Sequence, residues 1–268
     1  MNRFSFKMKI ILLVMLFLCG CVTTGKQTAG VVKRTGNSEA KKMIAKVQEI
    51  NAGAPKSFAV SFEIDGTMKK KKFKSIGKAF FDRGAGKMYI SFLDYIFKSP
   101  LTRVYIDGSE IIFYFPVDKT LIKDNARTID LRNYNNIQIP YHVVYDLLTG
   151  SIPLIKDYSI KEGLVKKEAS LSFLILENKN TYQTIAFSRD YPDKIKLVNK
   201  KAKDVIEIYL KRPMKTNKGY FYRTIVMVEK KSKVRLTLKF KSIKLNRPVK
   251  VKSVKDLKVP RDAKIISR

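Results

Sequence analysis

Residues 57 to 64 read SFAVSFEI, and this stretch decides the class of fold. Its large apolar residues stand at every second position, at Phe58, Val60, Phe62 and Ile64. A period of two places alternate side chains on opposite faces of an extended chain, so the stretch predicts a strand with one buried face. The fold is therefore expected to be built on a β-sheet.

Similar strand patterns continue along most of the chain. They occur at 76–82, 87–93, 102–107, 110–117, 120–123, 168–176, 181–187, 194–198, 205–210, 219–228 and 234–240. Turn residues between them, such as Asp107-Gly108 and Pro192-Asp193, favour short antiparallel connections. We expect about 11 strands in two meanders, with helices only before and between them.

Two helices are predicted around the first meander. The first carries apolar residues at spacings of three or four, at Ala40, Met43, Ile44, Val47 and Ile50. Ser38 is its predicted N-cap and Gly53 ends it. The second covers 141–148, between Pro140 and Gly150. Both are amphipathic, so each is expected to pack one face on the sheet.

The N-terminus has the pattern of an export signal. Three cations, Arg3, Lys7 and Lys9, come before an apolar run at 10–18. Nine apolar residues are too few to cross a bilayer, which needs about 20, so a cleaved secretory signal is the better interpretation. We predict that residues 1–20 form this signal and that the protein is exported.

The residues around the cleavage site predict a lipid anchor. Leu18-Cys19-Gly20-Cys21 resembles the bacterial lipobox, whose cysteine is acylated after cleavage. A disulfide to Cys19 is disfavoured because only one residue separates the two thiols. Cys21 is therefore the predicted palmitate-bearing N-terminus, residues 21–36 the lipidated N-terminus and flexible tether, and 37–268 one β domain.

The charge is strongly positive. Lys and Arg number 55 against 23 Asp and Glu, which gives a net charge of +32. Such a field attracts polyanions, but an exported lipoprotein meets anionic phospholipid rather than nucleic acid. An anionic membrane surface is thus the predicted partner, and the alternative is that the lysines only solvate the outer faces of strands.

No catalytic or metal-binding constellation is present in the sequence. His142 is the single histidine, both cysteines lie at the signal, and the carboxylates are dispersed. These residues exclude the usual zinc sites and Cys/His nucleophiles, and no glycine-rich phosphate loop precedes a helix. We predict a protein that is not an enzyme and that uses no cofactor.

Some strands are apolar on both faces, which a half-exposed sheet does not explain. In 87–93, Met88, Ile90 and Phe92 alternate with Tyr89 and Leu93, and 111–115 is apolar throughout. One face could pack on the helices while the other lines an apolar cavity of the kind small barrels offer to lipids. A closed core without a cavity is equally compatible with the pattern.

The order of these elements resembles a known family. The chain has a first helix, a meander, a helical break and a second meander. The break reads Tyr145-Asp146-Leu147-Leu148-Thr149-Gly150, and the ending runs from Leu245-Asn246-Arg247-Pro248 through Leu257–Ala263. In these features the chain looks like the LolA/LolB-type lipoprotein carriers and receptors. The resemblance implies a mainly β (α+β) fold, a single antiparallel unclosed β-barrel with an N-terminal helix and a short lid helix. It also implies a monomer that holds lipid or lipoprotein acyl chains and faces the periplasm from the outer membrane.

The resemblance also suggests site residues. An apolar loop of the receptor branch touches the membrane, and its counterpart here is Tyr95, Ile96 and Phe97. The alternative is that the strand starting at Lys87 continues through Phe97 into the core. The cavity candidates are Phe58, Phe62, Tyr89, Ile111, Phe113 and Phe173. This chain has no Trp, unlike the family, so another cargo remains open, as does an envelope or surface lipoprotein that binds another protein or an acidic glycan.

Overall fold

The computed structural model describes residues 33–35, 37–68, 71–129, 139–166, 171–216, 219–253, 256–257 and 260–267. The predicted signal segment, Cys21 and most of the predicted tether lie outside the described residues. All described elements fall within one compact unit, Val32–Arg268.

Strands make up most of this unit. The helices are α1 (Asn37–Ala52) and α2 (Tyr141–Leu148). The strands are β1 (Lys33–Thr35), β2 (Ser57–Met68), β3 (Lys71–Asp82), β4 (Lys87–Asp94), β5 (Pro100–Asp107), β6 (Glu110–Phe115), β7 (Thr120–Asn125), β8 (Ser159–Lys166), β9 (Leu171–Glu177), β10 (Thr181–Ser188), β11 (Tyr191–Asn199), β12 (Val205–Lys215), β13 (Tyr220–Glu229), β14 (Val234–Leu245) and β15 (Lys264–Ser267).

The strands of the described chain form one sheet that does not close. Its order is β1-β8-β9-β10-β11-β12-β13-β14-β2-β3-β4-β5-β6-β7-β15. Pairing of β14 with β2 joins the two meanders, β2 to β7 and β8 to β14. Every pairing is antiparallel except that of β15 with β7. The predicted fold class, an unclosed antiparallel β-barrel with two helices, is confirmed.

The local pattern of β2 explains its place in the sheet. Its residues alternate between buried and half-buried positions, and Phe58, Val60 and Phe62 are buried on the side where the helices pack. We call this side the inner face. Burial of each large apolar side chain contributes roughly 1.5–3 kcal/mol, so a slip by one residue is strongly disfavoured.

Helix α1 lies on the inner face and packs closely against β8. The predicted apolar stripe is buried, and Val47 and Ile50 are almost completely enclosed. A Cβ at Gly163 of β8 would lie 3.1 Å from the Cβ of Ala40, so the helix and strand backbones approach more closely than a larger residue allows.

Three strands were not predicted from the sequence. Strand β8 carries Lys161 and Glu162 and lacks a clear apolar alternation, while β1 and β15 are short edge strands. Strand β1 lies inside the segment predicted as tether, and it pairs with β8. The described residues therefore include a short strand within the segment predicted as tether.

Strands β4 and β6 are covered on both faces, as their composition indicated, and so is β5 between them. The outer face holds a second cluster built from Tyr89, Tyr105, Ile112, Tyr114, Leu121 and Leu257. Val251 packs against this cluster from the same C-terminal segment as Leu257. The second apolar face is thus covered by the end of the chain. In the described part of the chain, no helix has the length and apolar character to cross a membrane.

Candidate functional site

A short segment after α2 crosses the inner face, and we call residues 149–155 the strap. Asn51 of α1 donates its amide to the carbonyl of Ile152 at 2.9 Å and accepts from the Ile152 amide at 2.6 Å. Gln183 of β10 donates to the carbonyl of Pro153 at 2.6 Å and accepts from the Ile155 amide at 3.0 Å. The strap is therefore hydrogen-bonded to the helix on one side and to the sheet on the other.

Arg83 holds the C-terminal end of α2. Its guanidinium donates to the carbonyls of Pro55, at 3.2 Å, and Thr149, at 3.4 Å. Burial raises the pKa of the nearby Asp146 carboxyl to about 6, and the positive charge of Arg83 offsets part of that rise. The C-terminal end of α2 is thus attached to the turn between β3 and β4.

A cavity of about 570 Å³ lies at the other end of α2. Volumes of 300–1,000 Å³ are typical of small-molecule sites in proteins. Its apolar lining residues are Ala126, Ile129, Ile139, Pro140, Val143, Ile155, Leu197, Ala202 and Ile206. Its polar lining residues are Arg127, Tyr141, His142, Lys156, Asn178, Thr181, Asn199 and Asp204. The walls suit an alkyl chain, and the polar groups suit a headgroup.

Three buried polar atoms at this cavity have no hydrogen-bond partner among the described residues. They are the hydroxyl of Tyr141, Nε2 of His142 and Oδ1 of Asp204. Asp204 Oδ1 differs from the other two because the ammonium of Lys231 lies 3.2 Å from it. Burial lowers the pKa of His142, and the charge of Lys156 lowers it further, so the neutral imidazole is favoured. Burial raises the pKa of Tyr141. A neutral imidazole and a phenol can both hydrogen-bond to an ester or hydroxyl of a bound ligand.

The six residues predicted to line a cavity lie elsewhere. Phe58, Phe62 and Ile111 are buried in the inner-face cluster, and Phe113 packs against it. Tyr89 belongs to the outer-face cluster, and Phe173 is half-buried in β9. None of the six is among the residues that line the 570 Å³ cavity.

The predicted apolar tip lies in the turn between β4 and β5. Tyr95 is 40% exposed, Ile96 75% and Phe97 82%. The Asp94 carboxylate accepts hydrogen bonds from the amides of Ile96 and Phe97, at 2.8 and 2.7 Å. The ammonium groups of Lys74 and Lys98 lie 5.5 and 5.0 Å from the ring centre of Tyr95. This turn therefore presents two large apolar side chains to solvent, bordered by cations.

Comparison with solved structures decides the fold. An outer membrane lipoprotein-sorting protein domain from Vibrio parahaemolyticus aligns with a TM-score of 0.58 and 12% identity, over 79% of this chain and 95% of that one. A LolA superfamily protein from Nitrosomonas europaea aligns with a TM-score of 0.54 and 11% identity, over 77% and 94% of the two chains. This chain has the LolA/LolB-like fold. No protein-family model and no curated protein matches its sequence.

Within the LolA/LolB-like fold, the cavity residues could not be recognised from the sequence. They come from the segment after β7, the start of α2, the strap and the strand ends of β9 to β12. None of these segments has a motif of its own, and Asn178 and Asn199 have the composition of ordinary turns. Among the described residues, no group of three His, Cys, Asp or Glu side chains could hold a metal ion.

Proposed function

We propose that this protein is an exported lipoprotein that binds lipid or lipoprotein acyl chains in its half-barrel. Its role would be lipoprotein localisation or lipid transport, without catalysis, at the periplasmic face of the outer membrane. One observation carries the proposal: a mixed apolar and polar cavity lies at the start of α2 in a LolA/LolB-like fold. The Vibrio parahaemolyticus domain of the same fold, described as lipoprotein-sorting, supports this class of function.

The cavity is lined by both apolar and polar residues, which fits an acylated ligand. Ile129, Val143 and Leu197 supply apolar surface. The Tyr141 hydroxyl and His142 Nε2 lie nearby, without a hydrogen-bond partner in the described part of the chain. An unpaired buried polar atom costs roughly 1–3 kcal/mol, so a ligand that hydrogen-bonds to these atoms gains affinity from them. A purely hydrocarbon ligand would leave that cost in place.

Native mass spectrometry of protein purified from membranes tests the binding proposal. We expect a co-purified lipid or acylated peptide on the wild-type protein, and its loss in Thr181→Phe, which fills the cavity wall. Thr184→Phe is the matched control, because odd and even residues of β10 point to opposite faces of the sheet. A wild-type protein without bound lipid would favour the alternative, a lipoprotein whose surface binds another protein or an acidic glycan.

The anchor is a separate part of the proposal. If Cys21 carries the acyl groups, Cys21→Ala should abolish labelling by an alkyne fatty acid and leave an uncleaved precursor, visible as a heavier band. Cys19→Ala is the control, and it should be labelled and processed normally. Labelling that persists in Cys21→Ala would place the lipid at another residue.

The turn at Tyr95, Ile96 and Phe97 is proposed to contact the membrane while the ligand is delivered. A protruding apolar tip exposes apolar surface to water, which is unfavourable. Contact with a membrane removes that surface from water and is therefore favourable. Its high exposure and its bordering lysines support this role.

A further inference from the structure

Alternate turns of an antiparallel meander lie along the same rim of the sheet. The rim with the turns β4–β5, β6–β7, β9–β10, β11–β12 and β13–β14 is rich in lysine. We define the lysine rim by its exposed lysines that have no ion pair among the described residues: Lys71, Lys72, Lys98, Lys179, Lys201, Lys203 and Lys233.

Contacts between neighbouring turns join the part of this rim that belongs to the second meander. The Lys200 amide donates to the Asn180 carbonyl at 2.8 Å, which joins the β9–β10 and β11–β12 turns. The Lys231 ammonium lies 3.2 Å from the Asp204 carboxylate, which joins the β11–β12 and β13–β14 turns. Lys179, Lys201, Lys203 and Lys233 are therefore displayed on one connected surface, and the pairing of Arg235 with Thr67, which itself pairs with Lys72, places the start of β3 next to it.

Four of these turns place a lysine where the backbone is left-handed. The φ angles are +57° at Lys98, +45° at Lys119, +52° at Lys203 and +54° at Lys233. A side chain with a Cβ is disfavoured in this conformation, for which glycine and asparagine are the usual residues. On the opposite rim the left-handed turn positions are Gly86, Gly108, Arg189 and Asn246. Three of these lysines, Lys98, Lys203 and Lys233, belong to the lysine rim, whereas the opposite rim has one cation, Arg189, among its four described left-handed positions. The lysine rim thus keeps positive charge at three positions where it strains the backbone, and such strain points to function.

The exposed apolar side chains lie along the same rim. In the described part of the chain, the large hydrophobic residues that are exposed are Phe73, Tyr95, Ile96, Phe97, Leu101, Val117 and Ile265. Val117 lies in the β6–β7 turn, and Ile265 pairs with Leu121 near the start of β7. A surface that combines cations with protruding apolar side chains is suited to the headgroup region of a bilayer.

We propose that the lysine rim docks on a membrane of anionic phospholipid, with the apolar tips among the headgroups. The inference rests on the proposed function and adds to it the orientation of the protein on the membrane and the class of lipid that it contacts. Asn178, Asn199 and Asp204 belong to both this rim and the cavity lining, so docking brings the cavity to the headgroups. Each lysine near an anionic surface strengthens binding roughly fivefold.

The test uses the chain from Val22 to Arg268, which contains the whole compact unit and no lipid. We expect it to sediment with phosphatidylglycerol vesicles and not with phosphatidylcholine vesicles. Salt should release it from phosphatidylglycerol, because the screening length falls to about 8 Å at an ionic strength of 0.15 M. The triple variant Lys201→Gln/Lys203→Gln/Lys233→Gln should bind phosphatidylglycerol at least about tenfold more weakly.

The control variant Lys56→Gln/Lys215→Gln/Lys244→Gln removes the same charge from exposed lysines at the opposite rim, and it should bind as wild type does. Lys203→Gly/Lys233→Gly should bind more weakly yet melt no lower than wild type, because glycine suits the left-handed turns. Equal losses in the rim and control variants, or equal binding to both lipids, would overturn the proposal. If the docking proposal fails in this way, lipid that still co-purifies with the triple rim variant would show that the proposed lipid-binding function stands without it.

Discussion

An Ile96→Glu variant is expected to fold as stably as the wild-type protein and to lose delivery of bound lipoprotein to vesicles. Ile96 is 75% exposed, and surface substitutions usually change the free energy of unfolding by less than about 0.5 kcal/mol. Removing an apolar side chain that enters the headgroup region costs about 1.5–3 kcal/mol of membrane contact, so the delivery rate should fall at least tenfold. Fluorescence transfer of a labelled lipoprotein to acceptor vesicles measures that rate.

Two controls separate the apolar tip from charge. Ile96→Leu keeps the apolar side chain and should deliver normally, while Ala52→Glu adds the same charge at the exposed end of α1 and should also deliver normally. A stable Ile96→Glu protein with undiminished delivery would remove the transfer role from this turn. A drop in melting temperature would instead mean that Ile96 packs against the domain.

Gln183→Ala should be among the most destabilising single substitutions in the protein. The side chain is completely buried and makes two hydrogen bonds to the strap, to the Pro153 carbonyl and from the Ile155 amide. Its removal leaves two buried backbone groups unpaired, at about 1–3 kcal/mol each, so we expect a loss of roughly 4 kcal/mol in the free energy of unfolding. Urea denaturation monitored by circular dichroism measures it.

The neighbouring Thr184→Ala is the matched control, since Thr184 is half-buried on the outer face and its loss should cost about 1 kcal/mol or less. Asn51→Ala removes the two hydrogen bonds on the other side of the strap. Because both residues hold the same segment, the double variant should lose less stability than the sum of the single variants. A loss below about 1 kcal/mol for Gln183→Ala would show that the strap is held by other contacts.

Several elements were predictable because their signal is local. The period of two in β2 and the apolar stripe of α1 need only the geometry of a strand or a helix, and α2 was predicted with its observed bounds. Strand β8 was not predicted, because Lys161 and Glu162 interrupt its pattern and Gly163 is explained only by the nearness of Ala40. Its pairing with the following strand β9, and its contact with the helix α1, which is distant in sequence, make it a strand.

In the candidate site, too, some residues could be predicted from local sequence and others could not. Turn composition and three consecutive apolar residues pointed to Tyr95, Ile96 and Phe97 as a tip but were equally compatible with a strand that continues into the core. The exposure of Ile96 and Phe97 came only from the structure, and their membrane role stays a prediction. The predicted cavity residues were chosen as aromatic or large apolar side chains, and such side chains mostly fill cores. The observed cavity is instead formed where turns and helix α2 meet, so its lining has ordinary sequence.

In strands with clear alternation, such as β2, periodicity in the sequence was sufficient to show which face is apolar, because alternation follows from the pleat of a single strand. What covers each apolar face depends on contacts between distant segments. The helices and the strap cover the inner face, while Val251 and Leu257 cover part of the outer face. Only the folded chain brings the turns together into one lysine rim and leaves a cavity beside it, because both depend on the order in which the strands pair.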